Sequence, residues 1–273
     1  MKAASTLSQT VKAPSQRAWT SPARATGIRP LHVAGVALAL AGWQVAGAVR
    51  PDFTSSPTLV AAELLRLARD GDLLSLVAGT VGTLLVGWAA AAVLGVLAGF
   101  LIGRYRLLAV ALEPYLVALY SVPLIALVPL MIIWFGIGEG FLLATIVLAT
   151  AIMLVFPTAT GTRESVRAYG ELARAYQVTG RRFLLKVVLP GALPYIAAGL
   201  RISVQRALMA VVVGQFLVGH PGLGTLLGDA RARLDADEVF AVALVALAVG
   251  ALLTALVGWA GRRLSAWRPE VTT

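Results

Sequence analysis

The feature that most constrains this chain is a run of residues, 73 to 103, without a single charged side chain. As an α-helix, this run would be about 46 Å long, which exceeds the roughly 30 Å hydrocarbon core of a bilayer. A second uncharged run covers residues 239 to 261, and only 13% of the whole chain is charged, against about 25% in soluble domains. Because a backbone in hydrocarbon must satisfy its own hydrogen bonds, the sequence predicts an all-α integral membrane protein.

Apolar segments separated by polar ones predict six transmembrane helices. Their ranges are residues 30–49, 73–103, 114–138, 140–162, 194–218 and 239–261. Of the 23 Lys and Arg residues, sixteen lie on the side of the termini, five on the other side and two within the fifth span. Since basic residues accumulate in cytoplasmic loops, both termini are predicted to be cytoplasmic. The net charge of +10 therefore indicates loop charge, and nucleic-acid binding is not expected.

The predicted domain organisation has three parts. Residues 1–29 form a disordered basic cytoplasmic tail, residues 30–268 the transmembrane domain, and residues 269–273 a C-terminal tail. The competing interpretation of the first span is a cleavable signal peptide, because Ala46-Gly47-Ala48 resembles an A-x-A cleavage site. The length of the basic region and of the apolar run favours a retained span.

Residues 57–71 predict an amphipathic helix on the outer surface. Val60, Leu64 and Leu67 recur at three- and four-residue spacings and would share one face. Acidic and basic side chains, Glu63 and Arg66 among them, would share another.

Several kinds of chemistry have no support in the sequence. The absence of Cys excludes disulfides and thiolate metal sites. His32 and His220 are far apart and have no second plausible metal ligand beside them, so no metal site is predicted. No G-x-x-x-x-G-K-[ST] phosphate loop occurs, and no paired carboxylates or Ser–His arrangement stand out. The chain is not expected to be an enzyme.

A polar island, residues 163–190, separates the fourth and fifth spans. Glu171 and Arg174 are spaced to pair on a helix, Thr179 can cap a second short helix, and Pro190 is expected to end it. The pattern predicts two short helices with a break near residues 178–180. Two interpretations remain: a solvated connector, or a surface that docks a partner. Connectors in bundles are usually shorter, which favours docking.

Four stretches of the chain resemble the permeases of ATP-binding-cassette importers, in the group for nitrate, sulfonates and taurine. The first is the island itself, with E-x-A at Glu171 and Ala173, then Thr179, and V-x-LPGALP from Val187. The others are VPLIALVPLMIIWFGIGEG (122–140), GLRISV (199–204) and PGLGTLL (221–227). The resemblance covers about residues 56 to 268, and the four stretches occur in the same order as in the family. It implies a type I importer permease located in the bacterial inner membrane.

The resemblance further implies that the island is a coupling loop for a separate ATPase subunit. The residues implied in coupling are Glu171, Ala173, Arg174, Thr179, Gly180, Leu189 and Pro190. ATP–Mg would be bound by that subunit, so no cofactor is expected in this chain. A second permease copy, forming a homodimer, and an extracytoplasmic solute-binding protein are the other implied partners. The chain departs from the family pattern at Leu172 and Gln177, where Ala and Gly are common, and at Gln215, where an acid is frequent.

The candidates for the translocation path are polar or helix-bending residues within the spans. They are Tyr120, Ser121, Pro123, Arg201, Gln205 and Gln215. Arg201 and Arg206 either snorkel to the inner surface or face the path, where a cation would favour an anionic solute. The implied solute is a small organic anion such as a sulfonate, taurine or nitrate. The alternative function is a stand-alone secondary transporter, but no acid lies within the spans except Glu113 near an inner end.

Overall fold

The computed structural model describes residues 28–49 and 54–265, which are almost entirely helical and contain no strand. The helices are α1 (Ile28–Val49), α2 (Pro57–Arg69), α3 (Asp72–Arg104), α4 (Arg106–Ser121), α5 (Leu124–Phe135), α6 (Glu139–Ala175), α7 (Gly180–Phe183), α8 (Leu189–Val218), α9 (Leu223–Ala232) and α10 (Ala236–Ser265). A π-helical turn, Leu184–Val188, joins α7 to α8. The all-α prediction is confirmed. Most of the predicted N-terminal tail, residues 1–27, and the predicted C-terminal tail, 269–273, lie outside the described residues.

Four stretches of helix are long and apolar enough to cross a membrane: α3, α6, the continuous helix from Gly180 to Val218, and α10. The pair α4–α5, bent by 102°, makes a fifth if it counts as one span. Within the described residues, the first predicted span is shorter than a membrane-spanning helix requires, because the apolar part of α1 is only Ala34–Val49. Four or five of the six predicted spans therefore meet the required length.

The α1 helix nevertheless packs against the rest of the fold. The ring of Trp43 lies 5.5 Å from that of Phe240 in α10, and Gln44 Nε2 donates to Thr58 Oγ1 at 3.1 Å. A Cβ added at Gly47 would lie 2.7 Å from the carbonyl oxygen of Ser55. Only a glycine allows this close approach between α1 and the segment before α2.

The centre of the bundle is a seam of small residues where α3 meets α6. A Cβ added at Gly95, Gly99 or Gly103 would lie 2.5–2.6 Å from a carbonyl oxygen of α6. Small residues at such positions let two helix backbones touch, which is how helices associate where no hydrophobic force drives them together. The small residues in this part of α3 thus serve close packing against α6.

The α6 helix is much longer than the predicted fourth span. Its 37 residues extend about 55 Å, so the helix continues well beyond a bilayer core of roughly 30 Å. The predicted break near residues 178–180 is confirmed, since α6 ends at Ala175 and α7 begins at Gly180, but the prediction of two separate short helices is wrong. The first half of the island belongs to α6, and its second half begins the helix that runs into α8.

Pro190 does not end a helix, contrary to the prediction. Directly before it, the backbone N–H of Leu189 donates to Leu184 O across the wider π turn. Pro190 follows this turn, and the helix continues through it to Val218. The π turn also moves the preceding carbonyl groups away from the position where a proline ring would clash with them.

Two short helices cover the end of the bundle opposite the polar island. The predicted amphipathic helix is confirmed as α2, which begins after the cap Ser56 and buries Val60 and Leu67. The segment 219–238, between the fifth and sixth predicted spans, contains a further helix, α9. The Gly219–Gly222 turn, with φ of +67° and +159° at its ends, folds α9 back onto α8.

Charged side chains hold these outer helices together. Arg66 of α2 pairs with Glu63 and with Asp70, and its Nη2 lies 3.4 Å from Glu238 of α10. Arg233 pairs with the same Glu238 at 2.5 Å. Hydrogen bonding to Glu63, reinforced by its charge, raises the pKa of Arg66.

Candidate translocation cavity and coupling surface

The break between α4 and α5 creates a cavity within the bundle. Val122 has extended backbone angles, as expected for a residue before proline, and Pro123 has no N–H to continue the helix. The two helices consequently meet at 102°. The third predicted span was expected to bend at its prolines, and the structure breaks it at residues 121–123, between α4 and α5.

The cavity has a volume of about 470 Å³ and lies between this break and the helices α6 and α8. Most of its lining is aliphatic. Tyr120, Ser121 and Pro123 line it, so the structure brings these three predicted path residues together. Ser121 Oγ donates to Val117 O at 2.9 Å, and Thr145 Oγ1 donates to Phe141 O at 2.7 Å. Both hydroxyl groups thus donate their hydrogen to the backbone, but their oxygens can still accept a hydrogen bond.

Arg206 is the one charged residue in the lining of this cavity. Its neighbour Leu208 packs against Gly250, where an added Cβ would lie 2.9 Å from Leu208 Cδ2. Gly250 is central in the uncharged run 239–261, so Arg206 lies about level with the middle of that run. Among the described residues, no carboxylate forms an ion pair with Arg206. A cation at this depth is costly and normally faces water, protein or a counter-charge.

The other predicted path residues lie elsewhere. Arg201 rests against Gly258 of α10, and the exposed Gln205 does not line the cavity. Gln215 is fully buried on another face of α8, where its Oε1 accepts from Thr80 Oγ1 at 3.1 Å and from Gly224 N at 3.2 Å. Gln215 therefore ties the start of α9 to α3 and α8.

The far end of α6 turns through a complete helix-terminating motif. The N–H of Gln177 donates to Arg174 O at 3.0 Å, and the N–H of Val178 donates to Ala173 O at 2.8 Å. These two bonds define a Schellman motif, in which the residue after the cap is usually a left-handed glycine. Here Gln177 has that conformation, with φ of +54°. The missing glycine is thus replaced by a strained glutamine, and Gly180, at φ +58°, makes the next turn.

The tip of the island, residues 171–182, carries the predicted coupling residues. Glu171, Arg174, Thr179 and Gly180 are exposed, whereas Ala173 is buried at 8% exposure. Thr179 occupies the predicted capping position of α7, although its side chain makes no capping hydrogen bond. The predicted pairing of Glu171 with Arg174 is wrong, because Arg174 Nε donates to Gly170 O. No ion pair engages Glu171 in the described part of the chain.

Two features of these sites were not singled out from the sequence. Leu172 and Tyr176 are 58% and 75% exposed at the tip, which makes it an apolar as well as a charged surface. Thr145 joins the cavity lining, and only the helical spacing from Phe141 could have suggested it. Across residues 28–49 and 54–265, no group of three His, Asp or Glu side chains is placed to hold a metal ion.

Comparison with known proteins supports one family. Residues 91–267 match the family described as the binding-protein-dependent transport system inner membrane component. A probable ABC transporter permease protein of Haemophilus influenzae is 30% identical over 85% of this chain and 94% of its own length. The putative aliphatic sulfonates transport permease protein SsuC of Bacillus subtilis is 30% identical over 85% of both chains. The nitrate import permease protein NrtB of Leptolyngbya laminosa is 31% identical over 69% of this chain and 67% of its own.

Solved structures agree with this fold. The permease fold of an inward-facing MetNI methionine ABC transporter matches 68% of this chain and 93% of that chain, with a TM-score of 0.55 and 19% identity. A chain of an amino acid ABC transporter matches 73% of this chain and 98% of that chain, with a TM-score of 0.57 and 16% identity. The present chain belongs to the family of binding-protein-dependent transport system inner membrane components, and is a multi-pass permease of the ABC importer class in the inner membrane.

Proposed function

We propose that this permease forms the translocation path for a small anion such as a sulfonate, taurine or nitrate. The observation that carries the proposal is the guanidinium of Arg206, which lines a mostly aliphatic cavity and pairs with no carboxylate of the described residues. An anion that enters the cavity would supply the missing counter-charge, and the free lone pairs of Ser121 and Thr145 would face other polar groups of the solute. The names of the sulfonate and nitrate relatives support the same class of solute.

The tip is proposed to couple this path to a separate ATPase subunit that binds ATP–Mg. Glu171 is exposed and unpaired among the described residues, so it is available to a basic residue of that subunit. Leu172 and Tyr176 add apolar surface at the same place. The remaining predicted coupling residues, Leu189 and Pro190, would act from the base of the tip, where the π turn sets the direction of α8.

The proposed assembly contains two copies of this chain, two ATPase subunits and an extracytoplasmic binding protein. Each copy would have six spans, with α1 as the first and the broken pair α4–α5 as the third, and both termini in the cytoplasm. The packing of Trp43 and Gln44 against α10 and Thr58 supports α1 as a retained span. The α2 and α9 side would face the binding protein.

A stand-alone, ion-coupled transporter is less well supported. Such proteins usually keep a carboxylate at membrane depth. Glu113, the acid that comes nearest to this requirement, pairs with Arg163 of α6. It is thus already neutralised.

The anion proposal is tested by uptake into proteoliposomes that contain the permease with its ATPase and binding protein. Taurine, an alkanesulfonate and nitrate are the probes. Arg206→Gln is expected to lower ATP-dependent uptake of the transported anion at least about tenfold, the scale of a lost charge-assisted contact, and Arg206→Lys to retain part of it. Arg69→Gln, which removes an exposed charge of α2, is the matched control. Equal uptake by Arg206→Gln and wild type would refute the proposal.

The coupling proposal is tested by co-purification with the ATPase. Glu171→Arg is expected to reduce the amount of ATPase retained, because it places a cation opposite a basic partner. Glu164→Arg makes the same change on α6 outside the tip and is expected to leave retention unchanged. Unaltered assembly of the Glu171→Arg variant would count against the role of Glu171.

A further inference from the structure

Two arginines from different helices meet on the island side of the bundle. A Cβ added at Gly258 of α10 would lie 3.4 Å from Nε of Arg201 and 3.6 Å from Nη1 of Arg262. These two guanidinium nitrogens are therefore separated by no more than the sum of the two distances. Both side chains are exposed, and no carboxylate of the described residues pairs with either. Like charges this close repel each other, so an anion between them would be stabilising.

The backbone leaves room for this meeting. A Cβ added at Gly261 would lie 3.1 Å from Ala197 Cβ, which shows how closely α10 and α8 approach there. One turn earlier, Gly258 has no side chain, and the Arg201 side chain extends into that space. The arginine pair thus depends on small residues in both helices.

An apolar stripe runs along α10 beside the arginine pair. Leu252, Leu256 and Trp259 follow one another at helical spacing and are 59%, 53% and 53% exposed. Arg263 continues the stripe, with its guanidinium carbon 4.9 Å from the centre of the Trp259 ring. Only 11% of the apolar window of α10 is buried inside the chain, the lowest share of the four spanning stretches. Aliphatic surface that ends in Trp and Arg is typical of the boundary between acyl chains and headgroups.

We propose that Arg201 and Arg262 bind the phosphate of an anionic phospholipid, with one of its acyl chains along the stripe of Leu252, Leu256 and Trp259. Basic pockets between transmembrane helices on the cytoplasmic side bind such headgroups. A free phosphate would leave the apolar stripe uncovered. A second copy of this chain would bring the same basic end to this surface, so charge complementarity favours the lipid. This assignment does not depend on which solute is carried.

Native mass spectrometry of the full chain in a neutral detergent tests this site. The probes are dioleoyl phosphatidylglycerol, dioleoyl phosphatidylcholine and inorganic phosphate. Wild type is expected to retain phosphatidylglycerol in preference to phosphatidylcholine. Arg201→Gln/Arg262→Gln is expected to lower the binding constant for phosphatidylglycerol roughly 30-fold, since each basic residue near the membrane surface contributes about fivefold. Millimolar inorganic phosphate is expected to leave the bound lipid in place.

Two further variants keep the outcome interpretable. Arg69→Gln/Arg231→Gln removes two charges at the opposite end and is expected to bind like wild type. Arg201→Lys/Arg262→Lys keeps both charges and is expected to retain most of the binding even if the double Gln variant folds poorly. Equal retention of phosphatidylglycerol by wild type and by a folded double Gln variant would overturn the proposal. So would loss of binding in the Lys variant, equal retention of the two lipids by wild type, or displacement of the lipid by inorganic phosphate.

Discussion

The strained turn at Gln177 gives a prediction whose size can be worked from the structure. A left-handed conformation costs a non-glycine residue about 1–2 kcal/mol, and Gln177 has φ of +54°. Glycine avoids this cost but loses about 0.5–1 kcal/mol through the greater freedom of the unfolded chain. Gln177→Gly should therefore stabilise the tip by roughly 0.5–1 kcal/mol. The two hydrogen bonds of the turn would be kept, because both are made by backbone atoms.

Hydrogen exchange of the Val178 amide measures this effect directly. That amide donates to Ala173 O at 2.8 Å and exchanges only when the turn opens. A gain of 0.5–1 kcal/mol should slow its exchange about two- to fivefold. Gln177→Ala keeps the left-handed cost and is the control, expected to exchange at nearly the wild-type rate. Unchanged or faster exchange in Gln177→Gly would show that the glutamine side chain itself holds the turn, and the strain argument would be wrong.

Three further predictions concern the packing of the bundle, each measured by unfolding in mixed micelles. Gly99→Leu should destabilise the fold by about 3 kcal/mol or more, because its Cβ would lie 2.6 Å from Val155 O; Gly79→Leu, with nothing within 4 Å, is the control and should differ by less than about 1 kcal/mol. Glu238→Gln should cost about 2 kcal/mol, which is less than the 3–5 kcal/mol of a fully buried pair, because its arginine partners are 51% and 55% exposed. A loss of stability in the double variant Glu238→Gln/Arg233→Gln that is smaller than the two single losses added together would confirm the pairing. Thr80→Val should cost about 1–3 kcal/mol by leaving the N–H of Leu223, which donates to Thr80 Oγ1 at 2.9 Å, without an acceptor, and a neutral result would contradict that.

The sequence predicted the spans best where charge is absent over a long distance. The run 73–103 corresponds closely to α3, and the run 239–261 lies within α10, because a helix in hydrocarbon cannot be interrupted cheaply. The break at Pro123 was foreseen as a bend, but its angle of 102° depends on how α5 packs against α6, which a local motif does not encode.

The sequence could not decide whether Arg201 or Arg206 faces the cavity. Both arginines lie in the same predicted span, and five residues correspond to about 140° of rotation around the axis. Which one faces the cavity depends on the rotation of α8 against its neighbours. The seam with α6 fixes that rotation, since a Cβ added at Gly199 would lie 2.8 Å from Pro157 Cγ. The continuous helix through Pro190 could not be predicted either. The proline is plain in the sequence, but the π turn that accommodates it has no comparably clear sequence signature.

The connection between the tip and the cavity suggests how force would be transmitted. The α6 helix runs without interruption from Thr145 in the cavity wall to the tip, and the π turn keeps the chain helical from Gly180 to Arg206. A displacement of the tip would therefore tilt two cavity walls together, whereas the α4–α5 pair is separated from α6 by the Gly136–Gly138 turn. If this hypothesis holds, Arg167→Pro, which kinks α6 at an exposed position, should leave ATPase binding intact while lowering uptake per ATP hydrolysed, and Arg167→Ala should not. An unchanged ratio of uptake to hydrolysis in Arg167→Pro would mean that α6 is not the mechanical link.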